Sequence, residues 1–246
     1  MSNDVSKRPP AHLAFFEFML EDILPDAVIA VESRSDPPGL VLFPSEQAAL
    51  GRAVDKRRLE FTTARACART ALARLGLPSL PVTSGERGEP QWPAGVVGSI
   101  THCDGYRACA VARSTEIVTI GIDAERNAPL PDGVLPAIAR TEELPGLRNL
   151  RHDIPGVHWD RLLFSAKESV YKAWYPLTKH WLGFEDAFVT VDPFVGTFCA
   201  RLVVSGPRLA NRRLEAFSGR FLVRDGLVLT AIALAAAPVK SRDTLL

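Results

Sequence analysis

The chain has 246 residues, 47% of them apolar, which is ample for one large domain or two small ones with a real core. Lysine and arginine total 29 against 28 aspartate and glutamate, and a net charge of +1 excludes the global field that collects nucleic acid, so any anion must be met by a local cluster. Four cysteines without CxxC spacing read as reduced thiols of a cytoplasmic protein, and no run approaches the roughly 18 uninterrupted apolar residues of a membrane span.

Residues 1–10 read as disordered, and Leu13 to Leu24 reads as a short helix closed by Pro25. Glu17, Glu21 and Asp22 break its apolar run and no small-residue cleavage site follows, so the N-terminus is not expected to be a signal peptide. Ala27 to Val31 predicts a strand. Ser45 is the expected N-cap ahead of a second helical region, and Asp55 to Leu75 is dense in strong helix formers with Gly76 as its stop. On that helix Arg58, Thr62, Arg65 and Arg69 share one stripe, while Arg57 faces the first exposed turn; such a stripe suits either a solvated face or phosphate oxygens.

GERGEPQWPAG, residues 85–95, is a turn-rich loop with Arg87 at its tip. Val97 to Ile100 reads as a buried strand, with Thr101, His102 and Cys103 in a loop after it, and further strands follow at Tyr106 to Ala112 and Val118 to Ile122. Next come Asp123 and Glu125, which strand alternation places on one face with Ala124 on the other. A cation between them relieves their repulsion, and hard oxygen ligands suit Mg²⁺, with Mn²⁺ as a substitute, although this short pattern also arises by chance. From Asn127 to Val157 five prolines and three glycines make a long irregular connection with a short helix near Val134 to Arg140.

The segment from His158 to Phe184 organises the rest. Trp159, Leu162, Leu163, Ala166, Val170, Ala173 and Trp174 recur with helical period and predict a core-facing stripe. Glu168 and Lys172 fall on the opposite side with Phe164, Tyr171 and Tyr175. An exposed i,i+4 pair is worth only about 0.2–0.5 kcal/mol, whereas three aromatics beside it point to a face turned into a cleft. Pro176 is expected to stop or kink the helix. Strands at Ala187 to Val191, Phe198 to Val204, Arg220 to Arg224 and Leu227 to Ala235 complete an antiparallel set, and the tail after Pro238 reads as frayed. Two helix-then-strands halves, 1–122 and 123–246, predict an α+β fold with the active site in the cleft between them.

Three motifs in order, VGSITHC at 97–103, GIDAE at 121–125 and FSAKESVYKAW at 164–174, resemble the Sfp-type, or group II, 4'-phosphopantetheinyl transferases. The similarity extends from about Asp55 to Gly183, and WPAGVVGSITHC and WLGFEDA look like the actinobacterial branch. The resemblance implies two pseudo-symmetric α+β halves in a monomer. It implies Mg²⁺-dependent transfer of phosphopantetheine from coenzyme A to a serine of an apo acyl or peptidyl carrier protein, releasing 3',5'-ADP. Carried over by position, Asp123, Glu125 and Glu168 match the metal carboxylates, and Arg57, Arg65, Arg87, Gly88, Thr101, His102 and Lys172 match the coenzyme A site. Glu168 is then the expected base, with Lys172 to orient it or neutralise phosphate charge, and His102 a donor to the diphosphate. The connection 127–157 and the start of the central helix become the expected carrier-docking surface, with Arg140, Arg148, Arg151 and Arg161 either meeting an acidic partner or simply solvated. The rival readings are a non-catalytic coenzyme A or nucleotide sensor and a purely structural protein.

Overall fold

The structure, a computed structural model, describes residues 19–51, 53–209 and 212–236. Its elements are β1 (Ile29–Ser33), α1 (Pro44–Gln47), α2 (Asp55–Arg74), β2 (Val96–Cys103), β3 (Tyr106–Arg113), β4 (Ile117–Arg126), α3 (Val134–Ile138), α4 (Leu144–Asp153), α5 (Trp159–Thr178), β5 (Ala187–Asp192), β6 (Thr197–Leu202), β7 (Arg208–Leu209), β8 (Arg212–Arg213), β9 (Ala216–Arg224) and β10 (Leu227–Ala235). The first half lays α2 over the antiparallel sheet β1-β3-β2, and the second lays α5 over β4-β10-β9-β6-β5. Both helices are 20 residues long, so the α+β class and the likeness of the halves hold.

The two sheets meet where β2 lies beside β4. Ile122 N donates to Ser99 Oγ at 3.1 Å and Ala124 N to Thr101 Oγ1 at 3.0 Å. The paired positions rise together, so the two strands run parallel, joined through side-chain hydroxyls. The division expected after Ile122 falls inside β4, which is continuous against β10 from Ile117 to Arg126.

All seven apolar positions predicted for α5 are buried, each at 5% exposure or less. At about 1.5–3 kcal/mol per large side chain, this stripe is a major anchor of the second half. Close approach needs a bare backbone beneath the helix: a Cβ on Gly121 of β4 would lie 2.0 Å from Ser169 O and 2.8 Å from Ala173 N. Thr119 Oγ1 donates to Ala173 O at 2.8 Å, and Thr230 of β10 exchanges hydrogen bonds with Ser165 and Ser169, so α5 is pinned to both central strands.

Several expected boundaries shift. β1 starts two residues later than expected, at Ile29. Ser45 is not an N-cap: Phe43 holds that place, Pro44 opens α1, and the Phe43 N–H is met by Glu46. Thr101, His102 and Cys103 belong to β2, because Cys103 pairs with Tyr106 across a two-residue Asp104-Gly105 turn. Pro176 does not end α5, which continues to Thr178 and is closed by Lys179 in the left-handed region; a proline in the last turn forfeits a single backbone bond. The connection 127–157 contains a second helix, α4, which packs Leu147 and Leu150 against the core. Of the stretch expected as an N-terminal helix, Glu21–Ile23 forms one 3-10 turn. Residues 1–18 and the tail from 237 onward lie outside the described residues.

Candidate active site

β4 delivers Asp123 and Glu125 from its C-terminal end, and α5 faces them with Glu168 and Lys172. Lys172 Nζ donates to Asp123 Oδ1 at 2.7 Å, to Ile122 O at 3.1 Å and to Thr101 Oγ1 at 3.5 Å. Thr101 Oγ1 in turn donates to Asp123 Oδ1 at 3.3 Å. Lys172 was expected to orient Glu168, one turn away, or to neutralise phosphate charge; here β4 and β2 together offer its ammonium three acceptors, and Asp123 is the nearest.

Among the described residues, Asp123 Oδ2 is buried without a hydrogen-bond partner. Burial and then the charge of Asp123 push the Glu125 carboxyl up to about 7, although Arg161 Nη1 donates to its Oε2 at 3.0 Å. Burial, followed by Asp123, also raises Glu168, partly offset by Lys172. Glu125 and Glu168, both held above the ordinary carboxylate range beside Asp123 with its orphaned oxygen, are donors of the kind a hard divalent cation takes. Asp123 and Glu125 are each held by a cation of the chain itself, and among the described residues no three such side chains converge into a closed metal cage.

His102 extends the site toward α2. Its Nε2 meets Arg57 Nη1, and its Nδ1 lies 3.6 Å from Glu60. That second contact is not a charged pair, since burial first and then Arg57 and Lys172 hold the imidazole down to about 4. The ring is therefore neutral near pH 7, accepting from Arg57 at Nε2 and carrying its proton at Nδ1. Arg65 is buried, stacked at 4.1 Å over Phe61 and donating to Ser84 Oγ at 3.0 Å; its Nε finds no acceptor. Burial lowers Arg65 only to about 10, so it remains a cation.

Between β2, the loop after α2 and α5 opens a cavity of about 440 Å³, walled by Arg87, Gly88, Trp92, Glu168, Tyr171 and Lys172. A second chamber of about 160 Å³, lined by Tyr171, Trp181 and Phe184, lies on the other side of Glu168. Glu168 and Tyr171 line both, so the carboxylate stands at their junction. A larger cleft of about 620 Å³ lies over the outer faces of β5, β6 and β9, and none of the residues above lines it.

The structure thus gathers Asp123, Glu125, Thr101 and Lys172, with Glu168, Arg87 and Gly88 on the cavity wall and Arg57 with His102 beside them. Arg65 is turned into the protein rather than onto that wall. Arg161, read from sequence as surface, is a site residue. Its spacing of seven from Glu168 puts both on one helical face, and that signal was available. Ser99 and Glu60 carried no comparable signal.

This cleft between two α+β halves, with paired carboxylates, a lysine and a cationic rim, defines an enzyme of phosphate-ester or diphosphate chemistry. The sequence matches the 4'-phosphopantetheinyl transferase N-terminal domain over residues 45–112 and the 4'-phosphopantetheinyl transferase superfamily over residues 119–218. The chain is 54% identical over 221 residues to 4'-phosphopantetheinyl transferase Svp of Streptomyces mobaraensis, covering 89% of this chain and 90% of that protein. It is 46% identical over 229 residues to PptT of Mycobacterium tuberculosis (88% and 98%) and 48% over 225 residues to Npt of Nocardia iowensis (88% and 100%). The chain belongs to the 4'-phosphopantetheinyl transferase family, whose members move the phosphopantetheine group of coenzyme A onto carrier proteins. Among the described residues no helix is long and apolar enough to cross a membrane.

Proposed function

We propose that the two halves act as one functional unit that transfers 4'-phosphopantetheine from coenzyme A to a serine hydroxyl of an apo acyl or peptidyl carrier protein, releasing 3',5'-ADP. The observation that carries the residue assignment is the orphaned Oδ2 of Asp123, whose other oxygen Lys172 holds. Mg²⁺, or Mn²⁺ in its place, held by Asp123, Glu125 and Glu168, would supply Lewis-acid stabilisation of charge on the diphosphate oxygens.

The chain's own groups do the rest. Arg57, Arg87, Gly88 and Thr101 hold the phosphates of coenzyme A, and Arg65, buried behind Ser84, adds its positive charge to their field. Burial first and then the surrounding cations keep His102 neutral; the arriving diphosphate offsets the second of these, which favours the ring's taking up a proton and donating to a phosphate oxygen. Glu168 accepts the serine proton, and burial, which raises its affinity for a proton, favours that role. Serine Oγ bonds to the phosphorus that bears the pantetheine arm, the bond from that phosphorus to the bridging oxygen breaks, and 3',5'-ADP departs with that oxygen. Lys172 balances charge through Asp123 and on the transferred phosphate.

For the carrier, the connection 127–157 offers Arg148 and Arg151, exposed on α4. Arg140 is engaged with Glu142 and the Glu185 carbonyl, and Arg161 with Glu125, which removes both from the expected docking set. The reading further holds that the protein works as a cytoplasmic monomer without nucleic acid or membrane. The test is the intact mass of an apo carrier protein incubated with this chain, coenzyme A and Mg²⁺, with and without chelator. A gain of one phosphopantetheine, abolished by chelator, is expected. No gain on several carriers, with coenzyme A still raising the unfolding temperature, would favour a sensor instead.

A further inference from the structure

Arg161 has no part in the transfer as described, yet its guanidinium is committed within the site. Nη1 donates to Glu125 Oε2 at 3.0 Å, Nε to Ala128 O at 3.1 Å and Nη2 to Pro129 O at 2.8 Å. Ala128 and Pro129 open the connection 127–157. The same junction carries three more ties: Asn127 Oδ1 accepts from His158 N at 2.9 Å, its Nδ2 donates to Gly156 O at 3.0 Å, and Asp160 Oδ2 accepts from Leu130 N at 2.8 Å. The two ends of the connection are therefore clasped at the start of α5, and one carboxylate of the acidic pair is part of the clasp.

We propose that Arg161 is a positioning residue that couples divalent-cation binding at Asp123 and Glu125 to the conformation of the connection 127–157, so that metal and carrier protein strengthen each other's binding. This rests on the reading that Glu125 is a metal ligand and that the connection receives the carrier. The guanidinium is a rigid planar fork, so a shift of Glu125 toward a cation either pulls on the groups bonded to the other two nitrogens or gives up its own bond to Nη1. Those groups are backbone carbonyls of the docking segment, and no flexible link intervenes. Arg161 also fixes Oε2 of Glu125, which orients the remaining oxygen, as partners of metal ligands generally do. Linkage then requires reciprocity: if metal orders the segment for the carrier, a bound carrier tightens the metal by the same factor.

The test uses the full chain with Arg161→Met and Arg161→Lys. Mn²⁺ affinity is read by electron paramagnetic resonance, and binding of a fluorescent carrier protein with its acceptor serine replaced by alanine is read by anisotropy at several Mg²⁺ concentrations. In the wild type, carrier affinity rises with Mg²⁺. Arg161→Met weakens Mn²⁺ by about 10- to 100-fold and makes carrier affinity independent of Mg²⁺. Arg161→Lys keeps the charge but loses the fork, so Mn²⁺ affinity falls less while the dependence still vanishes; it carries the test if the methionine variant does not fold. Wild-type Mn²⁺ affinity in either folded variant together with intact Mg²⁺ dependence overturns the proposal. So does Mg²⁺-independent carrier affinity in the wild type when transfer still requires Mg²⁺. Failure of the underlying reading looks different: Glu125→Gln would then bind Mn²⁺ as the wild type does.

Discussion

Replacing Glu125 by glutamine should stabilise the metal-free protein at pH 8 and remove most of its response to Mg²⁺. Burial and Asp123 place the folded carboxyl at about 7 against an ordinary 4.5. A raised carboxylate pKa means that the native state holds the proton longer than the unfolded chain does. The cost of the charge therefore grows as pH rises from 4.5 to about 7 and is complete above that. At about 1.4 kcal/mol per pH unit, the interval amounts to about 3 kcal/mol. The side chain is 22% exposed and solvent screens part of the charge, so about 1–3 kcal/mol is the expected gain. Glutamine keeps an acceptor for Arg161 and carries no charge. For a chain of this size the gain corresponds to a rise of about 3–10 °C in unfolding temperature. The assay is thermal unfolding in chelator and in excess Mg²⁺, at pH 5 and pH 8. The variant should exceed the wild type at pH 8 in chelator and approach it at pH 5. Mg²⁺ should raise the wild type, by about 2.7 kcal/mol at a hundredfold excess over Kd, and scarcely move the variant. A variant less stable than the wild type at pH 8 in chelator would refute the account of a strained buried charge, and a full Mg²⁺ response would remove Glu125 from the metal site.

Glu168→Ala should lower transfer by at least about 100-fold while calorimetry shows coenzyme A binding largely intact; full activity would remove its assignment as base. Gly121→Ala should cost about 1–3 kcal/mol or more, because its methyl meets the α5 backbone and overpacking is not relieved by a rotamer; an unchanged midpoint in urea would contradict that packing. The ion pair of Lys167 with Glu143 is almost fully buried, so Lys167→Met should cost about 3–5 kcal/mol in urea unfolding, and adding Glu143→Gln should recover part of it. That pair also ties α5 to the carbonyls of Ile138 and Phe184, so carrier KM should rise in the single variant more than coenzyme A affinity falls.

Residues whose role follows from local periodicity were legible. The buried stripe of α5 and the shared face of Asp123 and Glu125 need only the helical and strand repeats. Contacts set by the approach of distant segments were not. Lys172 was expected on Glu168 because both lie on one helix, and only the docking of α5 against β4 gives it to Asp123. α4 was missed because Pro145 and Gly146 read as loop, although proline is well suited to a first helical turn. Arg161 looked like surface charge among other arginines, and its commitment depends on the clasp that brings residues 125–129 beside it. Stripe periodicity favoured Arg58 and the family motif Arg57; the structure puts Arg57 on His102 and leaves Arg58 exposed, as befits the less regular first turn of a helix.

The hydroxyl of Thr101 has a wider consequence. A backbone ladder between two strands tolerates almost any side chain, but the seam between these sheets relies on two oxygens that only serine, threonine or a similar residue can provide. One of them, Thr101 Oγ1, accepts from Ala124 across the seam and also touches Asp123 and Lys172. The button that fastens the two halves is thus stitched into the proposed reaction centre. Any change that loosened the assembly at this point would register at once in the chemistry, so the molecule has no way to drift in its joint while preserving its site.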